Sequence, residues 1–139
     1  MAREARLLVN IDVPDLARAE GFYCKALGLT IGRRIGPEAT ELLGLEAPIY
    51  LLENRDGSIA TDASPARRDY RRHWTPIHFD VAVDDLDAAR DAALAAGALE
   101  EVGIQPTRYG RIAMFADPFG HGFCLIEFNE QGYDAVWTA

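Results

Sequence analysis

The stretch DPFGHGFCLIEF (residues 117–128) contains two side chains that could do chemistry, His121 and Cys124. An imidazole and a thiol occur together in zinc sites and in cysteine nucleophiles activated by a histidine. The apolar run after the Pro and Gly residues predicts a β-strand, and residues three apart on a strand point to opposite faces of a sheet. His121 and Cys124 are therefore not expected to bind one ion, and any partners of Cys124 must come from other strands.

Other polar side chains follow an alternating pattern that places them on one face of a predicted sheet. In HFDVAVDD, His78 and Asp80 alternate with apolar residues, and Asn10 occupies a similar position in LLVNIDV. On each strand, the alternate residues that are all apolar are predicted to face a helix layer. The polar residues between them are predicted to line the open face of the sheet, as a binding cleft requires. The candidate ligand-binding residues are Asn10, Tyr50, Asn54, His78, Asp80 and Cys124.

His78 and Cys124 are also the candidate catalytic residues. As a thiolate–imidazolium pair they would form a nucleophile, and His78 alone could serve as a general base. The alternatives are a hydrogen-bonding or structural histidine and a small buried hydrophobic cysteine. The nucleophile hypothesis requires the two side chains to meet across the sheet.

The elements that would position these residues come in two similar copies. LVNIDVPDLARAEGFYCKALGL begins at Leu8 and HFDVAVDDLDAARDAALAAGAL begins at His78, 70 residues later in a chain of 139. This period of about half the chain indicates an internal duplication. Asp15 and Asp85 occupy equivalent positions and are typical N-caps for the helices that follow.

Each copy is predicted to continue from a strand through a helix into three further strands. Apolar residues recur at helical spacing, and the helices end at Gly28 and Gly97. The predicted strands are 7–13, 29–35, 39–45 and 48–54 in the first half and 76–83, 98–104, 110–116 and 122–128 in the second. Strand 39–45, ATELLGL, has the weakest pattern. The predicted fold class is α+β: two βαβββ modules that form a curved eight-stranded mixed sheet with a concave pocket.

We expect residues 1–139 to form a single domain, with modules at about 1–55 and 76–130. The segment 56–75 between them is rich in Gly, Ser, Pro and charged residues, which is typical of a linker or lid. Four arginines of this segment form either a solvated face, which could include one helical turn, or a clamp for an anionic substrate or a neighbouring subunit. They are Arg67, Arg68, Arg71 and Arg72.

Composition and charge limit the partners of the protein. Apolar residues make up 49% and charged residues 26%, as in ordinary globular domains. The net charge of −8 makes nucleic acid and anionic membranes poor partners. The sequence shows no signal peptide or membrane-spanning stretch, and Cys24 and Cys124 give no disulfide framework. We therefore expect a cytoplasmic protein with reduced thiols.

The chain resembles the vicinal oxygen chelate superfamily, which includes glyoxalase I, extradiol dioxygenases, fosfomycin-modifying enzymes and bleomycin-binding proteins. The resemblance rests on VPDLARAEGFYCKALGL, HFDVAVDDLDAA and the DPFG turn, and it covers nearly the whole chain. It implies a set of His and Glu ligands on four strands, around a divalent ion that acts as a Lewis acid. By motif alignment, these ligand positions fall on Leu8, Tyr50, His78 and Cys124.

Among these four positions only His78 keeps its usual ligand type. Leu8 cannot bind a metal, Tyr50 rarely does, and Cys124 binds only as a thiolate. Strand geometry gives no reason to add Asn10 or Asp80, and a catalytic zinc site usually has three protein ligands. We therefore predict no metal or other cofactor, with a divalent metal as the less favoured alternative.

The favoured function is the binding of a small organic molecule in the concave cleft by a metal-free member of this superfamily. The first alternative is a metal-dependent lyase, isomerase or dioxygenase, or a metal-free enzyme that uses His78 or Cys124. The other is a non-catalytic interaction module. The resemblance also implies a homodimer.

Overall fold

A computed structural model describes residues 4–139, and the chain divides into two compact units between Tyr70 and Arg71. Each unit contains an α-helix and a four-stranded mixed sheet. This confirms the α+β class and the two βαβββ modules, and the two sheets together contain the eight strands that the sequence predicts.

The first unit has parallel and antiparallel strands in one sheet. Its elements are β1 (Val9–Val13), α1 (Leu16–Leu27), β2 (Thr30–Arg34), β3 (Ala39–Leu43) and β4 (Ile49–Glu53). The strand order is β1-β4-β3-β2, with β1 parallel to β4 and the other pairs antiparallel. The weakly patterned ATELLGL stretch does form β3.

A two-stranded hairpin follows the first sheet. It consists of β5 (Ile59–Thr61) and β6 (Ser64–Arg67). This part of the predicted linker or lid therefore contains β-structure, where the sequence pattern also allowed one helical turn.

The second unit repeats the connectivity of the first. Its elements are β7 (Phe79–Ala82), α2 (Leu86–Ala96), β8 (Leu99–Thr107), β9 (Gly110–Ala116), β10 (Gly122–Phe128) and a short 3₁₀ helix (Gly132–Ala135). The strand order is β7-β10-β9-β8, again with the first and last strands of the module parallel. The duplication in sequence is thus a duplication in topology.

The helix boundaries follow the predicted capping residues. The Oδ1 of Asp15 accepts a hydrogen bond from the N–H of Arg18 at 3.0 Å, and Asp85 makes the equivalent bond at 3.1 Å. At the other ends, Gly28 and Gly97 have φ angles of 67° and 112°, a conformation that glycine adopts without strain.

A second carboxylate caps each helix from the sheet. Glu53 Oε2 accepts a hydrogen bond from the N–H of Leu16 at 2.8 Å, and Glu127 Oε1 accepts one from Leu86 at 3.1 Å. Both N–H groups belong to the first turn, which lacks partners within the helix. Each helix start is therefore tied to the end of the last strand of its own module.

Buried apolar side chains of each helix and its sheet form the core of each unit. In the first unit, Ile11 and Val13 of β1 are buried together with Phe22 of α1, as the alternating pattern predicts. In the second unit, the rings of Phe115 and Phe123 stack at a centroid distance of 5.5 Å. No helix within residues 4–139 is long and apolar enough to cross a membrane.

Candidate functional site

Strands β7 and β10 bring His78, Asp80 and Cys124 together in the second unit. Cys124 pairs with Asp80 in the parallel ladder, and His78 lies two residues before Asp80, on the same face. The Nε2 of His78 is 3.3 Å from the Oδ1 of Asp80, and the donor atoms of all three side chains lie within 4.8 Å of one another. Asp80, which the sequence pattern indicated as a ligand-binding candidate but not as a metal ligand, is therefore central to the group.

The surroundings of Cys124 favour the protonated thiol. The residue is only 4% exposed. Burial, followed by the negative charge of Asp80 and its hydrogen bond with the thiol, raises the pKa of Cys124 to about 11. A nucleophilic cysteine needs a lowered pKa, so this environment opposes a thiolate–imidazolium pair.

The donor set does not fit a hard divalent ion. Manganese and magnesium prefer oxygen ligands, whereas this group offers one imidazole, one carboxylate and one thiol. A thiol binds a metal as the thiolate, a soft ligand that suits neither manganese nor magnesium. Of the two other ligand positions that the resemblance implies, Leu8 is apolar, and the Tyr50 hydroxyl donates a hydrogen bond to Glu41.

A small recess opens beside this group, within the second unit. It is lined by Arg72, Trp74, His78, Met114, Phe115, Gly122, Phe123 and Cys124, and its cavity volume is about 10 Å³. That is about the space of one water molecule. A larger molecule would therefore lie across the mouth of the recess rather than inside it.

Trp74 supplies an exposed aromatic surface at this recess. Its side chain is 69% exposed, and its ring centroid is 5.9 Å from that of His78. Trp74 was not among the predicted ligand-binding residues, because it lies outside the predicted strands. The sequence feature that could have indicated Trp74 was its position just before the predicted strand 76–83, which contains His78.

Arg72 is fixed in position beside the same recess. Its Nε and Nη2 donate hydrogen bonds to the Glu101 carboxylate at 2.7 and 2.9 Å, and Nη1 donates to the backbone oxygen of His73 at 2.6 Å. The four arginines are thus not a uniform solvated patch, since Arg72 belongs to the recess and Arg68 binds Asp12 of β1 at 2.8 Å.

The remaining predicted site residues, Asn10, Tyr50 and Asn54, lie in the first unit. Asn10 pairs with Tyr50 in the parallel ladder of β1 and β4. Asn54 follows β4, and its Nδ2 donates to the Oδ1 of Asp12 at 3.0 Å. Asn10 and Tyr50 are therefore neighbours, while Asn54 takes part in a different contact at the end of the strands.

Glu41 is a polar residue of the first unit that the sequence pattern did not indicate. It is 5% exposed and accepts hydrogen bonds from Arg33 Nε at 3.0 Å, Arg33 Nη2 at 2.6 Å and the Tyr50 hydroxyl at 2.8 Å. These bonds, from Arg33 first and then Tyr50, lower the pKa of Glu41 to about 2. The Tyr50 hydroxyl is thereby engaged within the protein.

Comparison with known families finds the glyoxalase-like domain over residues 8–126. Among curated relatives, an uncharacterized protein of Mycobacterium bovis is 28% identical over 98% of this chain and 92% of its own length. The anthracycline biosynthesis protein DnrV of Streptomyces peucetius is 31% identical over 92% of this chain, which spans 42% of that relative.

Solved structures share the fold at lower identity. TnmS3, an antibiotic binding protein from a Streptomyces species, has a TM-score of 0.66 at 22% identity, covering 93% of this chain and 99% of its own. A mutant of the fosfomycin resistance protein FosX from Listeria monocytogenes, in complex with Mn(II) and 1S,2S-dihydroxypropylphosphonic acid, has a TM-score of 0.66 at 17% identity. That match covers 94% of each chain. The same fold therefore occurs both in a protein that binds an antibiotic and in one solved with a metal.

Proposed function

From the premise that this chain belongs to the glyoxalase-like domain family of the vicinal oxygen chelate superfamily, we propose that it binds a small planar organic molecule without a metal ion. The ligand would lie on the second unit, across the mouth of the recess beside Trp74 and His78. The observation that carries this proposal is the exposed indole of Trp74 next to a group of polar side chains.

The aromatic surface favours a planar ligand. Large exposed apolar side chains beside a recess are typical of binding sites, and the indole of Trp74 is 69% exposed. A flat conjugated ring that covers the indole would gain stacking of about 0.5–1.5 kcal/mol beyond the burial of its area. The small volume of the recess fits a ligand that stacks across the mouth.

The polar groups favour a neutral or cationic ligand. The Asp80 side chain is 39% exposed and carries a carboxylate beside His78, and the chain as a whole has a net charge of −8. An anionic molecule would meet unfavourable charge at this face, while a hydroxyl or ammonium group would find an acceptor.

The comparisons support the same ligand class. The relative DnrV is described as an anthracycline biosynthesis protein, and TnmS3 is described as an antibiotic binding protein. Anthracyclines contain a planar system of fused rings, which matches the exposed indole surface.

A second candidate function is proton abstraction from a small substrate. It is favoured by the contact of 3.3 Å between His78 Nε2 and Asp80 Oδ1, because a carboxylate that orients an imidazole is a common arrangement for a general base. Turnover that His78→Gln abolishes, with ligand binding retained, would support this candidate.

The proposed function is tested by the fluorescence anisotropy of an anthracycline titrated with the protein. We expect saturable binding that Trp74→Leu weakens at least tenfold and that Trp137→Phe, a change at the other tryptophan, leaves intact. Dialysis against a chelator should not change the affinity. The absence of saturable binding by planar compounds, or its loss on chelation, would overturn the proposal.

Metal content is measured in parallel by elemental analysis of protein purified without a metal-affinity tag. A divalent ion present at one per chain would contradict the metal-free proposal.

The predicted homodimer is a separate proposal, and a monomeric mass in light scattering at the same protein concentration would contradict it.

A further inference from the structure

We propose that Arg72 selects the ligand by donating two hydrogen bonds to an uncharged oxygen acceptor, such as a ring carbonyl, and that Gly122 and Glu101 are the positioning residues of Arg72. This inference rests on the proposed binding of a planar molecule beside Trp74, and it names the chemical group that such a molecule must present.

The hydrogen bonds of Arg72 use three of its five N–H donors. A guanidinium group has five N–H donors. Among the described residues, Glu101 accepts from Nε and Nη2, and the backbone oxygen of His73 accepts from Nη1. These three bonds leave one N–H on each terminal nitrogen for a further acceptor.

Gly122 determines where this donor pair lies. A Cβ atom added at Gly122 would be 2.6 Å from Nη2, 3.2 Å from Cζ and 3.3 Å from Nη1 of Arg72. Nη2 is the nearest of these atoms, so the terminal end of the guanidinium group lies beside Gly122. Any side chain at position 122 would push the guanidinium group away from β10.

The charges around Arg72 favour an uncharged acceptor. Glu101 neutralises the arginine through two charge-assisted bonds, and Asp117 adds a further negative charge that acts on Arg72. A carboxylate or phosphate would meet this net negative charge, whereas a carbonyl oxygen needs only the two donors. Arg72 and Trp74 both line the recess, so a ring on the indole can present its oxygen to the guanidinium group.

Gly122→Ala tests this inference without endangering the fold. Gly122 is not among the glycines with positive φ, so alanine meets no backbone strain there. The atoms that it would displace belong to the flexible end of the Arg72 side chain. The matched control is Gly103→Ala, whose Cβ would instead displace the Glu100 carboxylate, 2.9 Å away and outside the recess.

The measurement compares two probes, an amine-substituted anthraquinone and the anthracene with the same substituent. We expect the wild type and Gly103→Ala to bind the quinone about five- to tenfold more tightly, the effect of one or two net hydrogen bonds. Gly122→Ala and Arg72→Lys should lose this preference and keep the affinity for the anthracene, because lysine retains the charge but not the paired donors.

A spectroscopic readout follows the position of Arg72 itself. The Nε–H resonance of Arg72 should shift in Gly122→Ala and in Glu101→Gln, and it should not shift in Gly103→Ala. Equal binding of both probes by the wild type would overturn the role of Arg72 and leave the proposed function standing. Binding of neither probe would overturn both.

Discussion

The Glu53 carboxylate accepts a hydrogen bond from the backbone N–H of Leu16 at 2.8 Å, so the end of β4 caps the start of α1. We expect Glu53→Ala to lower the free energy of unfolding by about 1–2 kcal/mol, because it leaves this N–H without its acceptor. Glu53→Gln keeps an oxygen acceptor and should lose less. Urea denaturation measures both, with exposed Glu130 changed to alanine as the control; an unchanged midpoint in Glu53→Ala would refute the capping role.

The pair formed by Glu41 and Arg33 should make stability depend on pH in acid. The pKa of Glu41 is lowered from 4.5 to about 2, so its ionised form is more favourable in the folded state than in the unfolded state. Its contribution is therefore fully present above about pH 4.5 and is lost as the pH falls towards about 2. The destabilisation caused by Glu41→Gln should be largest at neutral pH and shrink over that acid range.

Arg33→Met provides the matched test of this cause. It removes the hydrogen bonds and charge that lower the pKa of Glu41 most, so this pKa should rise towards its ordinary value. The free energy of unfolding should then fall less between about pH 4.5 and about pH 2 than it does in the wild type. Denaturant titrations at several pH values measure both variants. A pH profile of Arg33→Met that coincides with the wild type would show that Arg33 does not hold the pKa down.

The Cys124 thiol should react slowly with alkylating reagents at neutral pH. Its pKa of about 11 reflects burial first and the charge of Asp80 second. In a Cys24→Ser background, the iodoacetamide rate should rise about tenfold per pH unit from about pH 7 to about pH 10, with no plateau.

Asp80→Asn isolates the contribution of the carboxylate to this thiol. Removal of the negative charge should lower the pKa of Cys124 and speed alkylation at a given pH, whereas Asp62→Asn in the hairpin loop should not. A plateau of the rate below about pH 9 in the parent protein would contradict the raised pKa.

Arg68 should hold the hairpin of β5 and β6 against β1. Its Nε binds Asp12 Oδ2 at 2.8 Å, and its Nη1 donates to Ser58 Oγ at 3.1 Å and to the backbone oxygen of Ile59 at 2.7 Å. Because the Arg68 side chain is only 16% exposed, these bonds are shielded from water. We expect Arg68→Ala to speed amide exchange of the hairpin at least tenfold and to leave β10 unchanged.

The neighbouring arginine is the control for this hairpin. Arg67 donates a hydrogen bond to the backbone oxygen of Gly57 and is exposed. Arg67→Ala should therefore have a much smaller effect on hairpin exchange. Equally faster amide exchange of the hairpin in both variants would mean that Arg68 has no specific role in holding it.

Much of the fold follows from local signals in the sequence. Asp15 and Asp85 are carboxylates that start helices, and Gly28 and Gly97 end them, so both helices could be predicted from capping chemistry and apolar spacing. Alternation of polar and apolar residues located the strands, including β7 with Asp80 on its polar face. These signals act over a few residues, which is why they can be read without the structure.

The site was only partly predictable because its contacts depend on strand register. Nothing local indicates that Cys124 pairs with Asp80, or that the end of the Arg72 side chain lies beside Gly122, which is distant in the sequence. Glu41 was missed for a related reason. A glutamate interrupts the apolar pattern of its strand, and only the structure shows that Arg33 pairs with it there. Long-range pairing of this kind is set by the assembled sheet.

The two faces of strand β10 carry different roles. Phe123 stacks in the core and Glu127 caps α2, while Gly122 and Cys124 alternate onto the other face. Substitutions at Gly122 or Cys124 therefore alter the recess and leave the Glu127 cap of α2 in place. A scaffold built this way can exchange one ligand for another, or gain and lose a metal, while its architecture is inherited unchanged.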